Sequence, residues 1–237
     1  MEEEKPEEQN PEGTKGFPEV EKEEVSESVD EDVDADGISS YVKSDAMWNN
    51  LLLAALYGVI VYGYVTAFSQ IATFSSLVLI IHYSLIVFFF LNRDYPKQVS
   101  KKSADWAFAL LGTWLPFLIM PVSGSIILLE ILQFIAMITS VCAVISLNNS
   151  YGIVPAVRTI KTGFMYKLVR HPLYFTYAVS FSCFVLNNLS IANVALLAVM
   201  LVSNVMRIKA EEEILSEEPA YQLYQERVRW RLIPYVW

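Results

Sequence analysis

Arg158, Lys161, Lys167, Arg170 and His171 crowd into one stretch, Val157 to Tyr174, between two apolar runs. A second charged cluster, Arg207 to Glu213, follows the last apolar run. Within the first lies Arg170-His171-Pro172-Leu173-Tyr174. Proline lacks a backbone donor and is tolerated in the first helical turn, so His171 is expected at the mouth of a helix. Free backbone donors at a helix start favour an anionic group, and Arg170 adds positive charge. Tyr166 and Tyr174 offer aromatic faces with a polar tip. Together these groups suit a ligand with a carboxylate and a flat ring. In the second cluster Arg207 and Glu211 stand at i and i+4 and share a helix face. A carboxylate there can bind ribose hydroxyls, an ammonium or a sulfonium. Each cluster alone also has a plainer reading, as interfacial anchoring or a solvated ion pair of little worth.

What brings the clusters together is the order of apolar segments. The 237 residues are 54% hydrophobic, with a mean hydropathy of +0.38. Apolar runs fall at 47–68, 71–91, 105–121, 125–147, 173–187 and 190–206. The first, second and fourth are long enough to cross a core of about 30 Å. The third is short and carries Pro116, so it is expected to kink or embed partly. Asn187-Asn188 marks a turn, making the last two runs a helical hairpin. Its outer ends carry the two charged clusters. The expected fold is all-α, a polytopic membrane bundle of about six apolar helices. A C-terminal helix over 207–237, stopped by Pro234, is expected to lay Tyr221, Tyr224, Val228 and Trp230 back on the membrane face.

The net charge of −9 hides an asymmetry. Residues 1–37 carry −13 and the rest +4. The segment 1–42 has too few apolar groups to offset ordering entropy and is expected to be a disordered acidic tail. No secretory signal is expected at the acidic start. The helices of 43–145 and a ligand-binding region over 146–237 complete the division. Lys and Arg concentrate in loops 92–104 and 148–172 and in the C-terminal segment, and are missing near 69–70, 122–124 and 187–189. Crossing in pairs puts every basic loop, both termini and the site on one side, expected to be cytoplasmic.

The combination resembles a known family. Tyr166-Lys-Leu-Val-Arg170-His171-Pro172-Leu-Tyr174, then Arg207-x-x-x-Glu211-Glu212-x-x-Leu215, is similar to the isoprenylcysteine carboxyl methyltransferase and phospholipid methyltransferase superfamily. Ser146 to Thr162 and Tyr221-x-x-Tyr224-x-x-Arg227-Val228 fit the same pattern, over roughly 146–237. The resemblance implies an integral membrane enzyme that uses S-adenosylmethionine. It implies a cofactor pocket formed by Arg158, Thr159, Ile160, Lys161, Tyr166, His171, Pro172, Leu173, Tyr174 and Glu211. Arg207 would face the acceptor, a lipophilic or small molecule entering from membrane lipid. Transfer would be direct and in line, helped by proximity. A carboxylate or thiol acceptor needs no strong base, and Arg207 can pair with a carboxylate. An amine acceptor must lose a proton, with Glu211 or Glu212 as the base. Family glycines are replaced at Phe164, Asn148, Thr176 and around Glu218-Pro219.

Two ionisable residues sit within apolar runs, Glu130 and His82, and are functional candidates by their cost at membrane depth. Structural pairing is the alternative for each. Cys142 and Cys183, both in apolar runs, are read as inert thiols, and neither a metal site nor a nucleic-acid partner is expected. Besides the enzyme reading stand a catalytically silent membrane assembly or partner-binding protein with the same fold, and a transporter subunit.

Overall fold

The computed structural model describes residues 35–70, 74–122 and 126–237, with side chains from Met47 onward. Most of the expected disordered tail, 1–34, lies outside the described residues. From Ala35 the chain is helical.

All six apolar runs are helices: α1 (Ala35–Gln70), α2 (Phe74–Leu91), α3 (Ser103–Trp114), α4 (Ile127–Leu147), α5 (Pro172–Asn187) and α6 (Ile191–Leu215). A seventh among the described residues, α7, spans Pro219–Arg227. Four are long and apolar enough to cross a membrane: Met47–Gln70, Phe74–Leu91, Ile127–Ser150 and Ile191–Leu215. The third run is shortened as its proline requires. The α-helix stops at Trp114, and Leu115–Leu118 form a 3₁₀ turn with Pro116 near its start. At about 1.5 Å per residue, α3 and the 16-residue α5 both fall short of a 30 Å core.

The helices pack α1 on α2, α2 on α4, α4 on α5 and α3 on α6. Their shared core holds Tyr57, Ile86, Phe90, Ala109, Val144 and Leu173. α5 and α6 form the expected hairpin through Asn188–Ser190, and Ser190 caps α6 by accepting from the Asn193 amide at 3.1 Å. Each leg nevertheless packs mainly on another helix, α5 on α4 and α6 on α3.

The two ends of the bundle differ. At one, strand β1 (Gln98–Val99) pairs antiparallel with β2 (Ala156–Val157). Lys97 and Lys102 reach Glu218 and Glu213 at 3.4 and 2.5 Å. The three basic segments therefore share one face. At the other end Asn187, Asn188 and Asn193 are buried. Their side-chain oxygens accept from the amides of Ile126, Val122 and Met120.

The segment 207–237 is not one helix. Arg207 to Leu215 is the last part of α6, and Pro219 starts a separate helix because it has no N–H to extend the previous one. Beyond Arg227 the chain forms a strap. Its Trp230 and Arg231 carbonyls accept from the amides of Arg170 and His171 at 2.9 and 2.8 Å.

Candidate active site

A cavity opens between α5, α6 and the basic loops, with about 1240 Å³ of empty space including its mouth. Arg158, Thr159, Ile160, Lys161, Tyr166, His171, Leu173, Tyr174, Arg207 and Glu211 all line it. Pro172 and Glu212 do not. Pro172 instead fixes the start of α5 directly after His171, as its chemistry predicts.

Glu212 is a buried hub. Its Oε1 accepts from Arg170 Nε at 2.7 Å and from His171 Nε2 at 3.2 Å, and its Oε2 from Arg231 Nε at 2.5 Å. Arg170 Nη1 donates further to the carbonyls of Val228 and Arg229. The charge-assisted bonds lock His171 and tie the strap to the start of α5. Glu211 faces the other way, into the cavity. It accepts from the Tyr174 hydroxyl, and its second oxygen stands 3.7 Å from His171 Nδ1. His171 thus sits between two adjacent carboxylates of α6, one structural in its bonding and one open to a ligand.

Two arginines line the cavity with spare valence. Arg207 donates to the Ile153 carbonyl at 2.9 Å and Thr113 Oγ1 at 3.3 Å, and lies 5.1 Å over the Tyr174 ring. Its Nε is buried without a partner, as is that of Arg158. Burial, then the neighbouring Arg93 charge, pulls the Arg158 pKa down to about 10, so it is still a cation at neutral pH. The Tyr221 hydroxyl, also on the cavity wall, has no partner either. Buried polar groups are normally paired, so these three groups on cavity-lining residues keep unused hydrogen-bonding capacity.

The replaced glycines leave this frame intact. Asn148 and Phe164 hold positive φ, 52° and 49°, the backbone that glycine favours. Glu218 has φ −88°, which any residue adopts. Thr176 is buried, bonds the Leu173 carbonyl and does not reach the cavity. Gly152 is retained where it is needed: a Cβ there would lie 2.7 Å from Arg158 Nη1.

Residues 108–221 match the phospholipid methyltransferase family. That segment is a domain of the isoprenylcysteine and phospholipid methyltransferase superfamily. The match is to a methyltransferase family, and it takes in two of the four helices long and apolar enough to span a bilayer, Ile127–Ser150 and Ile191–Leu215. No curated protein matches the chain.

The cavity also uses residues outside the domain that the sequence did not single out. Tyr57, Tyr83 and Ile86, from α1 and α2, form its deeper wall with Phe117, Tyr177 and Phe181. Their only signal was the recurrence of polar-tipped aromatics in apolar helices. Arg231 gave no local signal. His82 is buried and bonds Tyr177 and Ser140. Glu130 is an exposed residue in the first turn of α4, at the asparagine end and away from the cavity.

Proposed function

We propose that this protein transfers a methyl group from S-adenosylmethionine to a lipophilic or small acceptor, a carboxylate, thiol or amine. One observation carries the reading. A single cavity joins a polar end, with Arg158, Lys161, Tyr166, His171 and Glu211, to an aromatic end within the bundle. The unpartnered Arg158 Nε and Tyr221 hydroxyl and the close approach over Gly152 fit a ligand with a carboxylate and a flat ring at the polar end.

The bound cofactor would supply an activated methyl group on a sulfonium. Arg158 and Lys161 offer cationic charge for its carboxylate, and Glu211 offers an acceptor for ammonium or hydroxyl protons. The Tyr174 hydroxyl holds Glu211 in place. Arg207, next along α6, faces the acceptor and can neutralise a carboxylate or steady a thiolate. With an amine acceptor Glu211 takes the released proton. Glu212, with both oxygens engaged by Arg170, His171 and Arg231, positions His171 and the strap instead of acting as a base. The basic loops around the mouth favour a cytoplasmic site with both termini on that side.

The silent-scaffold reading gains nothing from the replaced glycines, because the backbone they served is kept. The test is turnover. Purified full-length protein in vesicles of total membrane lipid is given methyl-labelled S-adenosylmethionine, and label is followed into extracted acceptors. Incorporation that His171→Ala abolishes supports the reading. Cofactor binding without incorporation into any lipid or small-molecule fraction overturns the enzyme.

A further inference from the structure

His82 lies outside the methyltransferase domain, yet it controls one wall of the cavity. Ser140 Oγ gives its proton to the Met137 carbonyl at 2.7 Å. It can therefore only accept from His82 Nδ1, 3.2 Å away. That fixes the tautomer: Nδ1 carries the proton and Nε2 is bare. His82 Nε2 then accepts from the Tyr177 hydroxyl at 2.9 Å. Tyr177 has no proton left for the cavity. Tyr174 gives its proton to Glu211. Tyr177 and Tyr174, both on the cavity wall, thus offer a ligand lone pairs and no protons.

We propose that His82 is a positioning residue that sets the hydrogen-bond polarity of the deep compartment, so that the methyl acceptor carries a neutral O–H or N–H group there. A neutral hydroxyl or amine N–H can donate to the Tyr177 oxygen. The Arg207 charge disfavours an ammonium at this spot. A carboxylate would meet lone pairs at Tyr174 and Tyr177 and is confined to Arg207. The inference deepens the proposed acceptor site, but its tests need no turnover.

The chain holds only two histidines, His82 and His171, so imidazole nitrogens can be read individually. In ¹⁵N-histidine-labelled full-length protein, with His171→Gln assigning the signals, His82 is expected with a protonated Nδ1 and a bare, hydrogen-bonded Nε2. Tyr177→Phe should move the Nε2 resonance alone. A protonated Nε2 overturns the proposal. The ligand arm uses 1-dodecanol and its methyl ether, with dodecylamine as the cationic control. Wild type should bind the alcohol about tenfold tighter than the ether, a difference of about 1.4 kcal/mol. His82→Leu and Tyr177→Phe should abolish the preference, and His82→Gln, whose amide oxygen can replace Nε2, should keep it. Equal binding of alcohol and ether by wild type, or preference for the amine, refutes it. Because none of these readouts involves the cofactor, their failure leaves the methyltransferase reading standing, and a failure of cofactor binding leaves them readable.

Discussion

The two ends of this bundle both bury polar side chains, and they do so in opposite ways. At the asparagine end, Asn187, Asn188 and Asn193 are neutral and satisfied. Asn193 alone accepts from the Met120 amide and donates to the carbonyls of Met120 and Asn188. At the basic end the buried groups are charged, and several keep unused valence. Among the described residues the unpartnered buried side-chain atoms are on Arg93, Arg158, Arg207 and Tyr221, all toward the basic end. Satisfied neutral networks hold turns together, whereas charged networks with spare donors are expensive unless something binds them. In the proposed reading, structural and binding roles fall at opposite ends of the same helices.

The hub offers the largest break in that contrast. Glu212→Gln leaves Arg170 and the half-exposed Arg231 without a counter-charge. Losing one partner of a buried pair costs about 3 kcal/mol or more, so thermal unfolding in detergent should show a strongly destabilised protein with the strap detached. Asn193→Ala should cost less, about 2 kcal/mol from unpaired backbone groups, and should leave cofactor affinity unchanged by calorimetry. Equal loss of affinity in both variants would erase the division between the ends.

Smaller changes sharpen it. Gly152→Ala should displace the Arg158 guanidinium and weaken cofactor binding about tenfold, or 1.4 kcal/mol, with little change in unfolding temperature. Phe164→Gly should relieve a positive φ and stabilise the protein by roughly 0.5 kcal/mol, the strain of a non-glycine residue less the added chain entropy. A destabilised Phe164→Gly variant would show that the exposed ring makes contacts that matter.

The sequence read well wherever the determinants were local. Apolar runs, Pro116, Pro172 and the Asn187-Asn188 turn each act within a few residues, and the helices end accordingly. Arg158 through Glu211 were found because charge between apolar runs is conspicuous. Arg231 was not, since its partner Glu212 lies 19 residues back, beyond the Pro219 helix break, and only the folding of the strap brings the two together. Tyr57, Tyr83 and Tyr177 look like ordinary span residues until packing places them around one space. Glu212 shows the limit of reading paired carboxylates from spacing: on one helix its side chain and that of Glu211 point to different partners.

The central claim, that the basic end holds a methyl-donor site, is tested most directly by calorimetry of S-adenosylmethionine with full-length wild type, His171→Ala, Glu211→Ala and Asn193→Ala. The account predicts saturable binding by wild type and Asn193→Ala, weakened at least a hundredfold in the other two. Folded wild type that binds no cofactor, or binding that His171→Ala and Glu211→Ala leave unchanged, would contradict it.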